Sequence, residues 1–353
     1  MRYVLTLFIL SQIILINAQT AIDLKEITVL GNRDPDTVFG TWKYSVCDFE
    51  FSDDRLIILT FDKKEEDKTI RLVDASQKVL SSFRIPDVAR ELYKDYMGYI
   101  NVMCKEHIYR VKIDGDKIGL ISLPAGDFRA LVMPCVDTIE NSVYFSDFQP
   151  DYPQFSYYAY NRTDSVLTKV KTVSDAEILH GYNMEYYFLK PKERLQARNL
   201  ADYYGVDKHR VAANISGLTS SVFYTPLYSP LYIIRDTAMI FDHCSNAILK
   251  YNKQLALVDS VPVNYHHPVK WKEWKNKLIA DKETGKVYAV YQRSGFTYLK
   301  EIDLQTGKLT GSFKLIHRSA DRLKIRNGYV YYVYRPFESL QEKFVYKDLI
   351  RNN

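Results

Sequence analysis

The stretch Tyr265-His266-His267-Pro268, followed by Trp271 and Trp274, gathers the side chains best suited to holding a ligand. Aromatic rings stack on sugars and peptides, and imidazoles donate or accept hydrogen bonds. The plainer outcome is that both tryptophans simply pack inside the fold. No metal is expected at His266 and His267, because neighbouring strand residues point to opposite faces and no third ligand is marked. A second set of residues is cationic. Arg90 stands between Asp87 and Glu91, Arg129 follows Asp127, and Arg318 and Arg322 flank Asp321. Arginines sharing one face would suit an anionic ligand, a carboxylate or an acidic sugar, by bidentate pairing. The alternative is a solvated rim of ordinary ion pairs.

Catalytic signatures are missing. The chain has no G-x-S-x-G elbow, no H-E-x-x-H zinc helix, no phosphate-cradling glycine loop and no calcium loop. No cofactor is expected. The reading favoured is a non-catalytic binding or interaction module, its ligand left open among protein, peptide and glycan. The rival is a carbohydrate-active or ester-cleaving enzyme that assembles its site from scattered loop residues.

The elements that must position these residues are short strands. GKVYAVYQ, FTYLKEID and KLTGSFKLI follow one another between Gly285 and Ile316, and DRLIILTF, KTIRLVDA and KVLSSFRIP repeat the phrase between Asp54 and Pro86. Anchoring each unit on Leu56, Ile100, Val143, Tyr186, Met239, Val287 and Val330 gives gaps of 43 to 53 residues. That period, with about four strands per unit, predicts an all-β fold, the β-propeller. Within a strand the apolar residues alternate, Val287, Ala289 and Tyr291 on one side and Tyr288 and Val290 on the other, as blades packed between two neighbours require. Asp114-Gly115, Ser294-Gly295 and Thr306-Gly307 mark hairpins. The charged run from Lys63 to Asp67 reads as an exposed tip.

Residues 190–216 break the pattern with Leu195, Leu200 and Tyr203 at helical spacing, so a helical insertion is expected there. Removing it leaves too little chain for a blade around Tyr186. Six blades are therefore favoured over seven. The last unit lacks a fourth strand, and the strand-like run Asp23 to Gly31 is expected to supply it and close the ring. Both candidate ligand sets lie between the outer strand of one blade and the inner strand of the next, connections that open onto one face of the disc.

The N-terminus predicts export. A basic Met1-Arg2, an apolar run to Ile16 and a small residue at Ala18 read as a signal peptide over residues 1–18, leaving 19–353 as a single propeller domain in the periplasm or at the cell surface. No later segment is apolar enough to span a bilayer. With 48 basic and 43 acidic residues, the net charge of +5 carries no basic arm, so nucleic acid is not an expected partner. Cys47, Cys104, Cys135 and Cys244 are widely spaced. They read as buried thiols, with one disulfide as the alternative.

The blade pattern resembles the six-bladed, NHL-like propeller proteins exported by Gram-negative bacteria, which implies a fold and an exported location more than an activity. Separately, Leu24-Lys25-Glu26-Ile27-Thr28-Val29-Leu30-Gly31-Asn32-Arg33 resembles the stretch leading into the plug of TonB-dependent outer-membrane receptors. That likeness implies an outer-membrane partner met by strand addition. The alternative for the same residues is the closing strand.

Overall fold

Each blade is built of apolar runs of period two joined by hairpins, many of which turn on a residue with positive φ, among them Asp53, Gly115, Asn246 and Gly295. The computed structural model describes residues 35–222, 224–268, 273–336 and 342–351. Its strands pair into six antiparallel sheets of four. After β1 (Asp36–Phe39), blade one runs β2 (Ser45–Ser52), β3 (Arg55–Phe61), β4 (Lys68–Val73) and β5 (Val79–Arg84). Blade two is β6 (Ala89–Lys94), β7 (Ile100–Cys104), β8 (Ile108–Asp114) and β9 (Lys117–Leu123). Blade three is β10 (Cys135–Ile139), β11 (Ser142–Ser146), β12 (Gln154–Asn161) and β13 (Val166–Ser174).

Blade four is β14 (Leu231–Ile234), β15 (Thr237–Asp242), β16 (Ala247–Tyr251) and β17 (Leu257–Pro262). Blade five is β18 (Trp274–Asp281), β19 (Lys286–Arg293), β20 (Phe296–Ile302) and β21 (Phe313–Arg318). Blade six is β22 (Asp321–Arg326), β23 (Tyr329–Tyr334) and β24 (Phe344–Leu349), with β1 as its outermost strand. The fold is a six-bladed β-propeller. Among the described residues no helix is long and apolar enough to cross a membrane.

Alternation places the core between blades. Val287, Ala289 and Tyr291 of β19 pack with Phe241 and Ile248 of blade four, whereas Tyr288 and Val290 pack with Val330 and Tyr332 of blade six. Ile57 and Leu59 likewise face blade two while Leu56 and Ile58 face blade six. Burial of each such side chain contributes about 1.5–3 kcal/mol, so blades one, four, five and six are each held by both neighbours. Ion pairs add cross-links around the central channel: Lys324 with Glu50, Lys282 with Asp137, and Arg322 with Glu91.

An N-terminal strand closes the last blade, as expected: Asp36–Phe39 pairs antiparallel with β24, while the run Asp23 to Gly31 lies outside the described residues. The insertion is larger than residues 190–216: helix α1 (Ala176–Phe188) precedes α2 (Pro191–Tyr204) and α3 (Lys208–Ser216). Tyr186, counted as a strand centre, is buried in α1 against Ala197 and Ala212, so the Tyr186 unit is no blade and seven blades are ruled out. Local caps explain the helices. Asp175 accepts a hydrogen bond from Ile178 N at 2.9 Å, Glu193 accepts one from Lys190 N at 2.9 Å, and α2 ends on Gly205 at φ +63. Arg210 then ties the helices to blade three by gripping Asp151 at 2.8 and 3.0 Å.

Candidate functional site

In a four-stranded antiparallel blade, the second hairpin and the connection to the next blade emerge at the same end. That topology brings residues 87–88, 124–134, 147–153, 224–230, 243–246 and 263–268 onto one face. Between blades two, three and four they enclose a cleft of about 740 Å³. Its walls are largely apolar: Met103, Met133, Pro134, Val136, Phe148, Phe155, Tyr157, Leu227, Tyr228 and Pro230 line it.

The backbone builds this lining by irregularity. β-bulges at the start of β6, between Ala89 and Glu91, and of β10, between Cys135 and Asp137, leave Arg90 and Val136 out of register. A bulge re-aims its extra side chain, and both bulged residues line the cleft. Arg129 arrives on a short helical turn, Ala125–Asp127 running into Phe128–Val132, pinned by buried Phe128. The loop carrying Phe148 and Gln149 is braced by the helical insertion through Arg210 and Asp151.

The arginines read from the sequence part company here. Arg90 and Arg129 line the cleft and are exposed, and among the described residues neither has an acidic partner. Arg322 is committed elsewhere, 3.0 Å from Glu91 and 3.6 Å from Asp48. Arg318 lies over the Phe296 ring, 4.8 Å from its centroid. The two carboxylates on the cleft are also occupied. Glu91 pairs with Arg322, and Asp147 accepts hydrogen bonds from Ser156 N at 2.5 Å and Tyr158 Oη at 3.2 Å.

The histidine and tryptophan set stands behind one wall. Tyr265 is buried, Trp274 and His266 are half-buried, His267 is exposed, and Trp271 lies outside the described residues. Their hub is His243, in the turn between β15 and β16. Its ring stacks on Tyr228, which lines the cleft, at 5.5 Å and 10°. A carbonyl only accepts, so His243 Nδ1 donates to Tyr228 O at 2.5 Å, and Nε2 accepts the Tyr265 hydroxyl proton at 2.8 Å. Tyr228 Oη in turn accepts Leu278 N at 2.6 Å, which holds the wall at both ends.

His266 and His267 do not diverge, as adjacent strand residues would. They lie in a turn, and both Nε2 atoms donate to Asn246 Oδ1, at 2.8 and 3.1 Å. This leaves the buried Nδ1 of His266 without a partner. Burial, with His243 and His267 close by, lowers the His266 pKa to about 4; burial also lowers that of His243. Both rings are neutral near pH 7. Among the described residues no group of three or more His, Cys, Asp or Glu is placed to hold a metal ion. The four cysteines are free thiols, and burial pushes that of Cys104, on the cleft, up to about 12.

Reading by sequence missed His243, Tyr228 and the Phe148, Phe155 and Tyr157 wall. The available signal was topological, since every second hairpin opens on the same face as the interblade connections.

No family model matches the chain, and no curated protein does. Among solved structures it is similar to a luciferin-regenerating enzyme, at 10% identity over 88% of this chain and 92% of that one, with a TM-score of 0.42. It is also similar to a streptogramin B lyase, at 9% identity over 91% and 88% of the two chains, TM-score 0.39. A third likeness is to regucalcin, a calcium-binding protein from Agrobacterium tumefaciens strain C58, at 8% identity over 89% and 92%, TM-score 0.36. The propeller rests on the strand pairing itself, and no activity passes to this chain from likenesses at that level.

Proposed function

We propose that the protein is a binding module whose ligand occupies the cleft between blades two, three and four. The observation that carries this is the cleft itself. Its volume of about 740 Å³ falls within the roughly 300–1,000 Å³ of small-molecule sites, and apolar walls with few convergent polar groups are what such sites use. The Cys104 thiol, pushed up to about 12, stays protonated at neutral pH and is a poor nucleophile. The same reading has residues 1–18 removed on export, the mature chain in the periplasm or at the cell surface, and residues 24–33 offered to an outer-membrane partner. Its support is the basic start, the apolar run and the Leu24 to Arg33 likeness. N-terminal sequencing of the protein from cell fractions checks the cut before Gln19.

A small-molecule library screened by thermal shift tests the cleft, with Met133→Trp filling it and Met97→Trp, in the turn after β6 at the opposite end of the disc, as control. Hits are expected to lose about tenfold or more in affinity in the first variant and nothing in the second. No hits at all, or equal effects of both variants, would reject the cleft. Turnover of a hit that disappears in Met133→Trp would replace the module by an enzyme.

A further inference from the structure

We propose that the cleft selects amphipathic organic acids, with a carboxylate head on Arg90 and Arg129 and an apolar body against Phe155, Tyr157 and Tyr228. This rests on the cleft being the ligand site. The charge and the shape of the lining carry it. Arg90 and Arg129 are the cations of the lining, and both are without acidic partners among the described residues, while the one acid there that faces a cation, Glu91, is consumed by Arg322. A guanidinium left unpaired beside a partly desolvated cavity favours an anion, and its planar fork favours a carboxylate.

Asp147 keeps its negative charge, but its two oxygens are turned to Ser156 N and the Tyr158 hydroxyl, and among the described residues it forms no ion pair with either arginine. The body of the ligand follows from the remaining walls. Phe155 and Tyr157 are buried ring-to-edge at 5.4 Å and 78°, and Tyr157 is fixed by donating to Ser229 O at 2.8 Å. Tyr228 is held by His243 and Leu278. Such rigid apolar surface stabilises a ring or hydrocarbon body and offers little to the hydroxyl shell of a sugar acid, which would lose water without finding partners. Met103 and Met133, adaptable in shape, widen the range of bodies accepted.

Calorimetric titration of the full chain with phenylbutyrate, phenylbutyramide and glucuronate tests the selection. Phenylbutyrate is expected to bind, and the amide and glucuronate each to bind about tenfold more weakly or worse. Arg90→Ala and Arg129→Ala should each weaken phenylbutyrate about threefold or more and leave the amide unchanged, while Arg318→Ala leaves all three unchanged. Raising salt should weaken phenylbutyrate and leave the neutral amide unchanged. Equal binding of acid and amide, tighter binding of glucuronate, insensitivity to both arginine variants, or no binding of phenylbutyrate overturns the proposal. If the library hits that Met133→Trp abolishes are neutral compounds, the cleft stands as a ligand site and only its preference for acids falls.

Discussion

His243 serves two neighbours that cannot both be served by a protonated ring. It gives its Nδ1 proton to Tyr228 O and takes the Tyr265 hydroxyl proton at Nε2. A second ring proton would force the buried Tyr265 hydroxyl to turn away from its acceptor, His243 Nε2. The pKa values of His243 and His266 both lie below their ordinary 6.5. The folded chain therefore binds fewer protons than the unfolded chain below that pH, and stability falls as pH drops through this range. Urea midpoints measured from about pH 6.5 to about pH 5, above most carboxylate titrations, should decline. In His243→Gln, which keeps one donor and one acceptor but cannot titrate, the decline should be shallower at similar neutral-pH stability. A wild-type midpoint that is flat across that interval would contradict this account. The neighbouring His266-His267 pair is visible in the sequence. His243 is not, since a histidine in a hairpin turn acquires its meaning from Tyr228 and Tyr265, which reach it only after blades four and five are folded.

At the scale of elements, hairpins were the most legible features and helices the least evenly so. Thr306-Gly307 marks a turn by its residue types alone, and Gly307 takes φ +70. The structure adds a second reason for glycine: a Cβ there would stand 2.0 Å from Pro262 O, on the outer strand of blade four. Gly307→Ala should therefore cost about 2 kcal/mol or more by urea denaturation, beyond the cost of positive φ alone. A loss below about 0.5 kcal/mol would mean that the hairpin can back away from blade four. Helix α2 announces itself by Pro191, Glu193 and its apolar spacing. Helix α1 does not, because Tyr182, Tyr186, Tyr187 and Phe188 are residue types equally at home in strands. The period alone thus marks a unit at Tyr186, and only the short length left beside the insertion tells that it is no blade.

Across the whole molecule, β1 joins the two ends of the chain and leaves no open gap between blades six and one. Phe39 is buried with Val46, Val333 and Val345, so the closing strand seals core as well as hydrogen bonds. A chain beginning at Thr41 should expose the edge of β24. It should show earlier and less cooperative thermal unfolding by circular dichroism, with dimers or larger species on size exclusion; a monomer of unchanged stability would show that the other interblade contacts suffice. The sequence alone determined the repeat, the turn positions, the end of the disc that carries the loops and the need for a borrowed strand, because each is written in residues a few positions apart. Only the tertiary structure decided which strand closes the ring and which arginines are taken up by ion pairs among the described residues. Arg322 and the Glu91 that occupies it lie 231 residues apart, and no local pattern connects them. Blade closure does, and among the described residues it leaves Arg90 and Arg129 without an acidic partner on the cleft.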